Sequence, residues 1–176
     1  SSADRTWLVA PDLELTYGQA LERIERAAAG LRAAGVGPGD RVLHTPRNHP
    51  DHLLAWLALM EVGATQVPLN PKSTAAELAG FVDQVDATIV ITDPDLASLF
   101  GEVDVPVVLG ADLYAAEPDG RGPADVNPDD VAVMIPTSGT TGRSKLVMQT
   151  HRAYVMAGEG FPWWLELTAE DRLMTT

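Results

Sequence analysis

Apolar positions along the chain alternate between two rhythms, one of helical spacing and one of short β-branched runs. Thr16 and Gln19 have capping-box spacing, and Ala20, Leu21, Ile24, Ala27, Ala28 and Leu31 then form one apolar stripe. Gly35 stands where a left-handed closing residue is wanted, and a turn over 36–40 leads into a strand over 41–45. Asn48 caps a second helix with Pro50 in its first turn, running through Leu53, Leu54, Trp56, Leu57 and Met60 to Gly63. A strand over 65–69 follows. Thr74 and Glu77 then cap a third helix carrying Leu78, Phe81, Val82 and Val85. Residues 88–92 are β-branched throughout, with an apolar centre suited to a strand buried on both faces, and 105–109 read as another short strand. Strands alternating with helices predict βαβ units, a largely parallel sheet and an α/β fold with helices on both faces. Thr150 caps a last helix with His151 in its first turn.

Composition narrows the class. Apolar residues make up 45% of the 176, which suits a globular chain with a sizeable core. The longest apolar run, 53–60, is far short of the about 20 residues a membrane helix needs. No basic-then-apolar leader opens the chain. The net charge of −13 argues against nucleic-acid or anionic-membrane partners. Zero cysteines exclude disulfides and thiolate chemistry and fit a reducing compartment such as the cytoplasm. The charge is concentrated: residues 83–130 hold 12 acids and one base, Arg121, whereas 131–176 hold four of each. Residues 110–130, rich in acids, Pro and Gly, read as a surface connection.

The segment that carries chemistry begins with the apolar strand 131–135. It continues as Pro136-Thr137-Ser138-Gly139-Thr140-Thr141-Gly142-Arg143-Ser144-Lys145. Glycines let a backbone approach a ligand and expose N–H groups, hydroxyls donate to phosphate oxygens, and Lys145 supplies a point charge with Arg143 as a second cation. No acid lies between Asp130 and Glu159 to compete for these donors. The loop suits a polyphosphate, yet it lacks Walker spacing: Ser144 precedes the lysine, and Leu146-Val147-Met148 reads as a strand.

Thr137 to Lys145 resembles the phosphate loop of the adenylate-forming (AMP-binding) superfamily, which comprises acyl-CoA synthetases, peptide-synthetase adenylation domains and luciferases. The segments 15–18, 35–42, 63–64, 67–71 and Thr150-His151-Arg152 match family-like positions in order. The resemblance implies an acyl-CoA ligase acting on a small-molecule carboxylate with ATP, Mg2+ and coenzyme A, through an acyl-adenylate. It implies that Thr137, Ser138, Gly139, Thr140, Thr141, Gly142 and Lys145 bind phosphate. It also places the magnesium-binding Glu, the adenine and ribose contacts, most of the acyl pocket, the hinge and a C-terminal catalytic lysine beyond residue 176. On that basis residues 1–176 are part of the N-terminal AMP-binding domain, with no catalytic residue or metal ligand of their own and no adenylation by themselves. The start at Ser1-Ser2 and the strand-like Leu173 to Thr176 point the same way, to part of a longer chain. Where the family usually has Pro and Gly around the lysine, this chain has Ser144 and Leu146. Those departures predict a mobile loop that still binds ATP, and they keep open a non-adenylating nucleotide- or acyl-binding protein on the same fold.

Other residues read as structural. His44, His49 and His52 match no zinc spacing. His151 suits a capping or packing role, with its nearness to the loop leaving a ligand contact open. Phe161, Trp163 and Trp164 read as core, with the lining of a pocket as the alternative, and the acidic stretch 83–130 as a solvated face.

Overall fold

The computed structural model describes residues 2–45, 47–137 and 144–174. Its elements are strands β1 (Thr6–Ala10) and β2 (Leu13–Thr16), helix α1 (Tyr17–Ala33), β3 (Arg41–His44), α2 (Pro50–Glu61), β4 (Thr65–Pro68), α3 (Ala75–Val85), β5 (Ile89–Thr92), β6 (Val107–Leu109), β7 (Val131–Thr137), β8 (Lys145–Thr150) and α4 (His151–Trp164). The main sheet has the order β6-β5-β3-β4-β7-β8. Its first five strands are parallel, and β8 returns antiparallel to β7. The expected α/β fold with a largely parallel sheet is therefore present.

Two faces of this sheet are dry because adjacent residues of each central strand point to opposite sides. Val42, Ile89 and Ile91 meet Ala27, Ala28 and Leu31 of α1 and Ala58 and Leu59 of α2 on one side. On the other side Leu43, Val67 and Val90 meet Leu78, Val82 and Val85 of α3, with Phe100. All four residues of β5 are buried, as a strand covered on both faces requires.

Helix boundaries follow their caps. The Thr16–Gln19 and Thr74–Glu77 capping boxes both form, each pair exchanging side-chain and backbone hydrogen bonds. Gly35 closes α1 at φ +87°, where a side chain would be strained. Gly30 is needed for a different reason: a Cβ there would lie 2.5 Å from the Leu113 carbonyl oxygen, so the 3-10 segment Gly110–Ala115 packs on bare helix backbone.

The structure corrects several expectations. The cap of α2 is His49, whose Nδ1 accepts from the Asp51 N–H at 3.3 Å, rather than Asn48. Pro50 has no N–H and occupies the first helical position, so the capping residue is the one directly before it. The antiparallel hairpin β1–β2 turns at Pro11-Asp12, a turn-forming pair between two apolar runs that escaped the sequence reading. Leu173 and Met174 are exposed and not in a strand, since among the described residues no strand pairs with them; Thr175 and Thr176 lie outside those residues. Trp163 and Trp164 are 79% and 69% exposed rather than core. They lie in the last turn of α4, which follows the edge strand β8, and α4 buries no residue.

Candidate functional site

The five parallel strands end on one edge of the sheet, with last residues His44, Pro68, Thr92, Leu109 and Thr137. In open α/β sheets ligands bind beyond the carboxyl ends of strands, where connections leave for opposite faces. That condition is met at β3 and β4. The chain leaves β3 for α2 on one face and β4 for α3 on the other, as the two core clusters show. The loop singled out in the sequence begins at this edge, at the end of β7.

Of the seven residues expected to bind phosphate, the structure places two. Thr137 ends β7 and Lys145 begins β8, paired across the hairpin, with the Thr137 hydroxyl donating to the Lys145 carbonyl at 3.4 Å. Both are exposed. Ser138, Gly139, Thr140, Thr141 and Gly142 lie outside the described residues, as does Arg143. Ser144 is half-buried and Leu146 packs against the α3 cluster with Met134. The described non-glycine residues of positive φ are Asp86 and Glu166, so Leu146 is not asked for a glycine conformation. Beside the hairpin runs a groove of about 650 Å³ between β7 and α3, lined by Asn70, Glu77, Phe81, Gln84, Ile135, Thr137 and Ser144 among others.

Charge pairing gives Lys145 its meaning. The acids of 83–130 are more than a solvated face, because they take up arginines from elsewhere. Glu117 pairs with Arg26, Asp119 with Arg32, Asp86 with Arg41, Asp95 with Arg47 and Asp129 with Arg152, at 2.5–3.0 Å. Such pairs, exposed apart from the half-buried Arg32–Asp119, add little stability at the surface, but they occupy the cations. Among the described Lys and Arg residues, only Lys72, Lys145 and Arg172 form no ion pair. Lys72 and Lys145 both stand at the carboxyl edge, Lys72 in the connection after β4 and Lys145 at the start of β8, opposite the end of the neighbouring β7. Lys72 escaped the sequence reading, and only its place next to Asn70-Pro71 at a strand end could have marked it.

The Thr150-His151-Arg152 segment sits elsewhere. Thr150 pairs with Val131 at the start of β7, so it is separated from Thr137 by the length of the strand, about 20 Å. The Thr150 hydroxyl accepts from the Ala153 N–H as the cap of α4, and the His151 N–H donates to the Asp130 carbonyl. Arg152 grips Asp129 with two bonds of 2.7 and 3.1 Å. His151 is thus at the opposite end of the hairpin from the loop, and the nearness that left a ligand contact open is not found.

Behind the edge lies a buried polar layer. The hydroxyls of Thr45 and Thr92 are 2.7 Å apart, and the Gln66 amide nitrogen donates to His44 Nδ1 at 2.7 Å. The His44 ring stacks on His52 with centroids 4.7 Å apart. The described residues contain no group of three or more His, Asp or Glu able to hold a metal. Burial, and secondly the neighbouring His52, pushes His44 well below the ordinary histidine range; burial lowers His52 as well, against the opposing effect of Asp93. A histidine in the unfolded chain takes up a proton below about pH 6.5, and the folded chain refuses it until lower pH. The stability of the neutral pair is therefore complete above about pH 6.5 and is lost as pH falls. We expect the thermal midpoint to decline from about pH 6.5 to 5, before exposed carboxylates titrate, and His44→Gln to flatten that decline. A wild-type midpoint constant over this window would contradict the assignment.

Fold and site together define a doubly wound α/β domain, parallel but for one edge strand, with an exposed lysine on the hairpin at its carboxyl edge. The AMP-binding enzyme family matches the chain over residues 1–176, and the chain belongs to that family. It is 39% identical over 140 residues to feruloyl-CoA synthase of Amycolatopsis sp, covering 78% of this chain and 28% of that protein. It is 28% identical to 3-hydroxybenzoate--CoA ligase of Aromatoleum sp. (strain CIB), covering 99% of this chain and 36% of that protein. Among solved structures, ATP-bound MatB from Rhodopseudomonas palustris superposes with TM-score 0.82 at 28% identity, over 90% of this chain and 34% of that one. O-succinylbenzoate coenzyme A synthetase from Bacillus subtilis shares the fold at TM-score 0.88 and 24% identity, over 97% of this chain and 45% of that one. The chain spans about a third of the length of these curated relatives. No helix of the described residues is long and apolar enough to cross a membrane.

Proposed function

We propose that the protein carrying this chain activates a small-molecule carboxylic acid with ATP and passes the acyl group to the thiol of coenzyme A. The carboxylate oxygen forms a bond to the α-phosphorus while the bond from that phosphorus to the β-bridging oxygen breaks, releasing pyrophosphate. The thiol then forms a thioester at the acyl carbon and AMP leaves. In this reading Thr137, Ser138, Gly139, Thr140, Thr141, Gly142 and Lys145 hold the β and γ phosphates. Catalysis at this loop is positioning plus stabilisation of charge on the leaving pyrophosphate, with no covalent bond to the protein. No Mg2+ ligand and no side chain that makes or breaks a bond falls within 1–176 in this scheme, so adenylation belongs to the full-length protein, of whose AMP-binding domain this chain is the N-terminal part.

The observation that carries the reading is Lys145, an exposed cation without an ion pair among the described residues, set beside Thr137 at the carboxyl edge of a parallel sheet. The relatives support carboxylate activation, since they include a feruloyl-CoA synthase and a 3-hydroxybenzoate--CoA ligase. The competing reading is a nucleotide- or acyl-binding protein that does not adenylate, which Ser144 and Leu146 raise. Carboxylate-dependent ATP–pyrophosphate exchange by the full-length protein separates the two, with aromatic and fatty acids in the panel. Exchange with at least one acid is expected. ATP binding without exchange for any acid would favour the binder.

A further inference from the structure

The limb of the hairpin loop that returns to β8 is tied to α3 by one side chain. Gln84 Nε2 donates to the Ser144 carbonyl oxygen at 2.9 Å in a half-buried contact. Gln84 lies in the last turn of α3, and that helix is firmly seated. Its start is fixed by the Thr74–Glu77 capping box, and Leu78, Val82 and Val85 are buried in the core. At its end Arg41 donates to the Val85 carbonyl and to Asp86, in the left-handed closing position. Leu146, two residues beyond Ser144, packs into the same cluster as α3.

A peptide unit is planar, so fixing the carbonyl of Ser144 fixes the plane of the peptide that carries the Lys145 N–H. Together with the strand pairing that holds Lys145 opposite Thr137, it sets the direction in which the Lys145 side chain leaves the backbone. Proline at position 144 would restrict this limb through its ring, whereas serine leaves φ free. Here the restriction comes from outside, through a hydrogen bond to a rigid helix and the anchoring of Leu146.

We propose that Gln84 is a positioning residue for nucleotide handling: through the Ser144 carbonyl it holds the return limb so that Lys145 presents its ammonium group at the carboxyl edge. This rests on the phosphate-binding reading given above. Gln84 itself touches no phosphate. Its loss acts on the ATP step and leaves the carboxylate alone.

The test uses the full-length protein and the variant Gln84→Met, which keeps the length and packing of the side chain and removes the donor. Gln84→Ala is the second variant. Both are expected to raise KM for ATP about three- to tenfold, the effect of one neutral hydrogen bond, with KM for the carboxylate unchanged. In nucleotide-free protein, amide hydrogen exchange over residues 144–148 is expected to quicken in both. If Gln84→Met matches wild type in KM for ATP while Gln84→Ala does not, the residue only packs, and the proposal is overturned. Equal increases in both KM values, or unchanged amide exchange, overturn it too. A wild-type protein that exchanges no pyrophosphate would instead remove the functional reading itself, and this inference with it.

Discussion

Lys145→Ala in the full-length protein is expected to reduce ATP–pyrophosphate exchange by about 10²- to 10³-fold, the scale seen when one preorganised donor to developing charge is removed. The effect falls on chemistry because the side chain contributes little to the fold. Lys145 is exposed and forms no ion pair among the described residues, so its removal leaves no buried partner unsatisfied. The unfolding midpoint therefore stays within about 1 °C of wild type. Lys145→Arg retains charge but offers a planar fork in place of a compact ammonium group, and it should fall between the two. Undiminished exchange in Lys145→Ala would show that Lys145 is not the cation facing phosphate and would turn attention to Arg143 and Lys72.

Leu43→Ala carries the largest expected stability effect. Leu43 is 0% exposed in β3, the strand flanked by β5 and β4, and it packs among Val67, Val90 and the α3 residues Leu78 and Val82. Parallel strands on both sides and a helix above leave little room for collapse, so the cavity persists and the cost is about 3–5 kcal/mol. For a domain whose whole stability is about 5–15 kcal/mol, this removes a large share. Urea denaturation reads it as a lowered midpoint at unchanged slope. Val147→Ala, a comparable truncation at a site 43% exposed on the edge strand, should stay within about 0.5 kcal/mol. Equal losses in the two variants would mean that the core is not where the sheet topology puts it.

Much of this arrangement was legible in the residues. The capping pairs Thr16–Gln19 and Thr74–Glu77 mark real helix starts because their chemistry is local: two side chains satisfy two backbone donors three residues apart. The buried β5 was legible from its β-branched run, because only a strand covered on both faces can use four such residues in a row. Features that depend on distant chain segments were not legible. The exposure of Trp163 and Trp164 is set by what lies beyond an edge strand, and an apolar doublet reads the same in either setting. The distance of His151 from the loop follows from the antiparallel return of β8, which carries the residues after Lys145 back along β7. The role of the acidic stretch as counter-ion to arginines 26 to 152 needed the fold to bring those partners together. At the site itself, sequence pointed to the loop, and structure added the carboxyl edge, two lysines without an ion pair among the described residues, and the Gln84 tie.

The most direct test of the central claim is carboxylate-dependent exchange of labelled pyrophosphate into ATP by the full-length protein, run with Lys145→Ala in parallel. Exchange is expected to require an acid substrate and to collapse in the variant. Exchange absent for every acid while ATP still binds, or exchange that survives in Lys145→Ala, would contradict it.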